Sequence, residues 1–335
     1  MHSVLGARYD KRGDYHGYVK GERLDALHAV ERDVLHAGKQ ATECLCGDHG
    51  TGLHLAGIDR WGLEASTVLC EKCGLVRVSP RWEDETYINI YKNYFWALQS
   101  GTSTITKERF DLSVRRAEAS VEYLKSFTEL AGKRILELGC SYGAALSRLK
   151  ETGAELVGYD WDAQIIELGR GYGDVDLRLG GADHALAAGE KPYDLVIMRH
   201  VLEHVLDPVA ELSKIRQLLG KDGVLFIEVP GFLNQQEYSP DPLAIFNAFH
   251  VYGFCLETLI CLMESQGFML LNGDERITSI WRPCDVQHPM AWESASRAAR
   301  VLEFMKQMEA RRMKESGFTS KLRAALSNFI SRSGS

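Results

Sequence analysis

From Lys133 onward the chain alternates short apolar runs with stretches of helical periodicity, and the alternation is strict. The runs are Arg134–Leu138, Glu155–Tyr159, Val175–Leu179, Tyr193–Met198 and Val224–Val229. Between them Ala144–Lys150, Ala163–Gly169 and Pro208–Leu219 repeat apolar residues at spacings of three and four. Strands separated by helices cannot close hairpins, so they pair in parallel, with the helices as crossovers covering both faces. A further helix, Glu257–Glu264, precedes two more runs, Phe268–Leu271 and Ile277–Ile280, which complete the sheet edge. The expected fold class is α/β: a doubly wound, mostly parallel, seven-stranded sheet.

That sheet accounts for residues 131–285 of 335, so the rest must form extensions or a second unit. Residues 1–40 are expected to be a helical extension, with Leu24, Leu27, Val30, Val34 and Leu35 on one face. Residues 41–80 form a cysteine-bearing segment. Residues 81–130 read as a helical linker or cap carrying the aromatics Tyr87, Tyr91, Tyr94, Phe95 and Trp96, which either pack inward or face a substrate. Residues 286–335 read as a basic amphipathic pair of helices. Val301, Met305 and Met308 share one face, as do Phe318, Leu322, Leu326 and Phe329. The last 44 residues hold nine Lys/Arg and four Asp/Glu, a net of +5 that leaves −12 on residues 1–291 of a chain at −7. Such an acidic body offers no phosphate track, so no nucleic-acid partner is expected. The basic tail suits a peripheral membrane or protein contact, or a homo-oligomer. No run approaches about 18 apolar residues and the N-terminus lacks a signal-peptide core, so a cytoplasmic protein is expected.

Four of eight cysteines fall within thirty residues, as Cys44-Leu45-Cys46 and Cys70-Glu71-Lys72-Cys73. In a reducing compartment two close pairs of thiols suit a closed, structural, tetrahedral Zn2+ site. The first pair is one residue tighter than the usual spacing, so His49 or His54 is kept as a substitute ligand. Cys140, Cys255, Cys261 and Cys284 read as small buried hydrophobes.

The first apolar run leads into Glu137-Leu138-Gly139-Cys140-Ser141-Tyr142-Gly143, a glycine-bearing turn that opens a helix. Such a turn admits close backbone approach by a ligand, and the helix start offers unpaired N–H groups. About twenty residues on, the second strand ends at Asp160, placed to bind two ribose hydroxyls. The third leads to Gly181-Ala182-Asp183, where an adenine amine can be read. The fourth runs into Arg199-His200-Val201-Leu202-Glu203-His204-Val205.

Together these segments resemble a class I S-adenosylmethionine-dependent methyltransferase, with its Rossmann-like sheet, over roughly residues 130–285. The resemblance implies S-adenosyl-L-methionine as cofactor. Its methionine moiety would lie against Glu137, Gly139, Ser141 and Gly143, its ribose at Asp160 and its adenine at Ala182 and Asp183, with Arg199 beside them. Ser141 stands where the family usually has a glycine. The cysteine segment is similar to the zinc-binding N-terminal module of a subset of bacterial methyltransferases, which often modify sugars. This implies transfer to a small-molecule or glycan acceptor, nucleotide-linked or within a surface polysaccharide, with a sugar hydroxyl ranked ahead of a sugar carbon or another small metabolite.

Removing a hydroxyl proton needs a base. His250 is the first candidate and His200 the second. Sugar C-methyltransferases of this architecture carry a Glu-His pair in a comparable place; here Phe249 precedes His250, which leaves a lone imidazole. His200 and His204, four apart, are expected to share a helical face, with no third ligand to make them a metal site.

Overall fold

The computed structural model describes residues 2–11 and 19–333, the last seventeen of these by their backbone alone. The N-terminal part contains α1 (Glu22–Leu35), β1 (Lys39–Gln40), β2 (Leu53–Ile58), β3 (Glu64–Leu69), β4 (Val76–Val78) and β5 (Arg81–Trp82). Four helices follow: α2 (Asp84–Asn93), α3 (Phe95–Ser100), α4 (Lys107–Arg116) and α5 (Glu118–Phe127). Then come β6 (Arg134–Leu138), α6 (Ala144–Leu149), β7 (Glu155–Asp160), α7 (Ala163–Gly173), β8 (Asp176–Leu179), α8 (Ala182–Ala187), β9 (Tyr193–Arg199) and α9 (Pro208–Leu218). The chain closes with β10 (Leu219–Glu228), β11 (Tyr252–Gly253), α10 (Leu256–Ser265), β12 (Phe268–Asn272), β13 (Thr278–Pro283) and α11 (Ala295–Ser333).

The seven-stranded sheet has the order β12-β13-β10-β9-β6-β7-β8. β13 runs antiparallel to both its neighbours and the remaining pairs are parallel. Ile135, Leu136 and Leu138 of β6 and Leu195–Met198 of β9 are buried on both faces, which is why these runs read as continuously apolar. Strand order reverses between β6 and β9, so a crevice opens beyond their carboxyl ends. One expected boundary moves: β10 starts at Leu219, with a register break between Leu219 and Val224 that takes up the Gly220–Gly223 turn.

The cysteine segment folds as an antiparallel meander, β2-β3-β4, but it is not a separate bead. Its fourth strand is β11, more than 170 residues away: Tyr252 pairs with Arg77 and Gly253 with Val76. Trp61, Leu63, Leu75 and Trp82 share one hydrophobic core with Leu136, Val196, Phe249 and Phe254. Tyr87, Tyr91, Tyr94 and Phe95 join that core, whereas Trp96 packs separately against Tyr142. Tyr87, Tyr91 and Phe95 pack on Phe249, so their faces are spent on each other.

The C-terminus forms one continuous helix, α11, where two were expected. Val301, Met305 and Met308 are buried as the periodicity required, against Leu5, Tyr9, Leu55 and Phe246. The second expected face, Phe318 to Phe329, lies outside the described side chains, as do residues 12–18 of the N-terminal extension. Leu27 and Val30 of α1 are buried, whereas Leu35 points to solvent. Among the described residues no helix is long and apolar enough to cross a membrane.

Candidate active site and cysteine cluster

Leaving β6, the chain turns sharply through left-handed backbone at Gly139 (φ 70°), Ser141 (φ 51°) and Gly143 (φ 74°). At Gly139 a Cβ would sit 2.4 Å from Val201 Cγ2, so the turn needs glycine for space as well as for conformation. Ser141 holds its unusual φ because its backbone N–H donates to Asp160 Oδ2 at 2.8 Å. Asp160 Oδ1 accepts from Asp162 N–H at 3.0 Å. The acid at the end of β7 thus ties the turn of β6 to its own strand, with oxygen lone pairs still free. Burial raises its pKa, although the backbone donors work against that.

Glu137, one strand position before the turn, is 3% exposed and its Oε2 has no hydrogen-bond partner. Burial pushes its pKa up to about 7; Asp160 and Glu228 add to this and Arg199 opposes it. A buried acid with an oxygen left without a donor fits a cationic ligand group. Arg199 is committed elsewhere, its Nε donating to Glu228 Oε2 at 3.0 Å. Ala182 is buried at the head of α8, and the Asp183 carboxylate lies 2.8 Å from Lys214 Nζ.

The histidines depart from the expected arrangement. His200 takes a left-handed conformation (φ 54°) and residues Leu202–His204 form a single 3-10 turn, so no helical face joins His200 and His204. Nor is His250 a lone imidazole. Its ring stands edge-on to that of His204, centroids 4.8 Å apart, and Glu203 lies with them. One ligand atom from each of Glu203, His204 and His250 falls within 4.8 Å of the others. Glu203 is 2% exposed and neither carboxylate oxygen accepts a hydrogen bond. Burial lowers the pKa of His204 and, more strongly, of His250. For the half-exposed His200 burial acts the same way, but the Glu203 and Glu228 carboxylates more than reverse it. Glu203 is the residue that sequence reasoning passed over. Its signal was a carboxylate set between the apolar Leu202 and Val205.

In the cysteine segment Cys44 Sγ lies 3.5 Å from Cys73 Sγ, and Cys46 Sγ 3.8 Å from Cys70 Sγ. All four sulfurs fall within 4.8 Å of one another and none is in a disulfide. His49 sits in solvent beside Glu43, and His54 is held by Asp10 and Ser66, so neither joins the cluster. Cys140, Cys255 and Cys261 are buried as expected, and Cys284 is partly so.

Residues 112–272 match the family described as a methyltransferase domain. Over 112 residues the chain is 30% identical to the ubiquinone biosynthesis O-methyltransferase of Xylella fastidiosa (strain M23), covering 32% of this chain and 46% of that protein. Over 99 residues it is 34% identical to the protein of the same name from Cereibacter sphaeroides (strain ATCC 17025 / ATH 2.4.3), covering 28% and 40%. The chain therefore spans about half the length of the curated relatives it matches. Among solved structures it is similar to magnesium protoporphyrin IX methyltransferase from Synechocystis PCC 6803 with bound SAH. The identity there is 18%, covering 59% of this chain and 97% of that one, at a TM-score of 0.42. The family match lies across the glycine turn, the strand-end acid and the crevice between them, so that what the chain is similar to over residues 112–272 is a methyltransferase domain.

Proposed function

We propose that this chain transfers the methyl group of S-adenosylmethionine to a hydroxyl oxygen of a small-molecule acceptor, and that the acceptor is a sugar. The observation that carries the donor side is Glu137, buried beside the turn with Oε2 unpartnered. It suits the ammonium end of the donor, while the free lone pairs of Asp160 suit the ribose hydroxyls. The cofactor supplies a methyl group already activated on a sulfonium. What the protein must add is alignment of the two reactants and removal of one proton. The methyl carbon leaves sulfur as it bonds to oxygen, and the hydroxyl proton passes to a base or to water. Glu203, His204 and His250 stand beyond the end of β9, where that proton is released.

The cavity beside His250 is too small for a sugar ring. The Glu203 carboxylate and the unpartnered Asn247 amide at its wall are nonetheless hydrogen-bonding groups that a hydroxyl-bearing acceptor reaching toward His250 would meet, which supports a polyhydroxylated acceptor. The assay is transfer of labelled methyl to matched panels of nucleotide sugars and catechols. Label in the sugar panel is the expected result. Label confined to catechols overturns the sugar acceptor, and failure to bind S-adenosylmethionine in calorimetry overturns the whole reading.

The same reading gives the Cys44, Cys46, Cys70 and Cys73 cluster one structural Zn2+. A tetrahedron with Zn–S bonds of about 2.3 Å has edges of about 3.8 Å. The sulfur spacings of 3.5 and 3.8 Å support that geometry.

A further inference from the structure

We propose that Glu203, His204 and His250 form a second metal site, separate from the cysteine cluster, that binds a first-row divalent cation at the acceptor end of the crevice. The Glu203 carboxylate is the first ground. It is almost fully buried and no donor hydrogen-bonds either oxygen; the half-exposed His200 imidazole has Nδ1 3.7 Å from Oε1, beyond hydrogen-bond reach. A carboxylate taken out of water without a hydrogen bond needs another positive partner.

His204 is the second ground. Its Nδ1 lies 2.8 Å from the carbonyl oxygen of Phe249 and 3.0 Å from Tyr91 Oη. A carbonyl can only accept, so the proton is on Nδ1 and Nε2 carries a lone pair. That lone pair is on the side of Glu203, with Oε1 3.9 Å away, too far for a proton to be shared. Two acceptors thus converge with nothing between them. A ring N–H fixed on a backbone carbonyl is also how metal-binding histidines are oriented. Tyr91 and Phe95 hold the ring edge-on from the other side.

His250 supplies the third atom from a different part of the chain. The three ligand atoms lie within 4.8 Å of one another, and small side-chain rotations bring them to the separations of about 3 to 3.5 Å that bonds near 2.1 Å require. Beside Glu203 and His250 is a cavity of about 30 Å³, room for an ion with one or two waters but not for a sugar. Two imidazoles and one carboxylate with open positions favour first-row transition metals over Mg2+ or Ca2+. A cation there would lower the pKa of an acceptor hydroxyl and make a strong protein base unnecessary. That role in turnover rests on the hydroxyl-acceptor reading above; the binding itself does not.

The test is a Co2+ titration of the full-length protein after a chelator wash, followed by visible absorption and metal analysis. Expected is one equivalent beyond the cysteine-bound metal, without the sulfur-to-cobalt charge-transfer band that thiolates give. Glu203→Gln and His250→Ala should each lose that equivalent and keep the thiolate-bound one, with melting curves to show that they remain folded. S-adenosylmethionine binding is measured on the same samples, so a failed cofactor site is told apart from a failed metal site. The proposal is overturned if wild type takes up no second equivalent. It is equally overturned if the folded Glu203→Gln, His250→Ala double variant retains one; wild-type turnover that survives chelation with no second metal bound overturns the metal's role in the reaction.

Discussion

Asp59 Oδ2 accepts the backbone N–H of Ala248 at 3.2 Å, so a buried acid of the cysteine segment holds the peptide two residues ahead of His250. Its other oxygen accepts from Trp61 and Leu63, each at 2.9 Å, and burial pushes its pKa up to about 6 against those donors. Further ties run parallel to it: Arg60 N–H donates to Phe246 O, Val78 N–H to Val251 O, and Tyr87 Oη to Ala248 O. The segment that carries His250 is therefore built onto the cysteine module more than onto the methyltransferase sheet.

Replacing Asp59 tests that dependence. Asp59→Asn keeps one oxygen for Trp61 and Leu63 but turns an NH2 toward the Ala248 N–H. Leaving that donor buried and unpaired should cost about 1–3 kcal/mol of stability. The loss in methyl transfer should exceed the loss in S-adenosylmethionine affinity, because Glu137 and Asp160 sit on other strands. Turnover and calorimetry on one preparation decide it; equal losses in both would remove the positioning role.

Glu137 gives a pH signature. Its folded pKa of about 7 lies above the ordinary 4.5, so the native state holds this proton more tightly than the unfolded chain does. The resulting stability is complete below pH 4.5 and is lost as pH rises through 7, about 3 kcal/mol in all by linkage. Affinity for the cationic cofactor should rise over the same window, as the carboxylate ionises. Glu137→Gln should flatten both curves. Identical slopes in wild type and variant, read by denaturant titration at several pH values, would count against this role.

Asp160→Ala should weaken cofactor binding by removing two charge-assisted hydrogen bonds to the ribose, about 1.5–3 kcal/mol each. The structure adds a second effect. The same substitution strips the Ser141 N–H of its acceptor, and that residue holds φ 51°. The turn should loosen, with faster amide exchange at 139–143 in the ligand-free protein. Unchanged binding would remove the cofactor placement.

How much of this was legible in the sequence follows from the range of the interactions. Glu137, Gly139, Gly143 and Asp160 could be read because a strand, a turn and a strand-end acid are local patterns. The seven strands could be read because burial on both faces leaves continuous apolar runs, as at Leu195–Met198. Glu203 could not, since its isolation depends on His204 being drawn toward Phe249, 45 residues later. The two-residue pairing of β11 with β4 leaves no periodicity at all. Nor did sequence show that α11 is continuous, because the polar and glycine-bearing stretch 314–317 interrupts the apolar repeat between its two halves.

The cysteine cluster should hold one tightly bound zinc per chain that survives a chelator wash, on the four-thiolate count. Cys70→Ser and Cys73→Ser should each lose it and make residues 41–80 sensitive to protease, since metal binding and local folding are coupled in small modules. The β4–β11 pairing extends the consequence. With the meander loosened, Tyr252 and Gly253 lose their partners, and His250 two residues before them loses its anchor. Methyl transfer should then fall at least about tenfold, with cofactor affinity kept within about threefold, because among the described residues the turn after β6 and the acid of β7 make no hydrogen bond to the meander. Metal analysis, limited proteolysis, calorimetry and turnover on the same variants separate the cases. A zinc-free protein that resists protease over 41–80 and still turns over would show that the cluster is not what holds this segment in place.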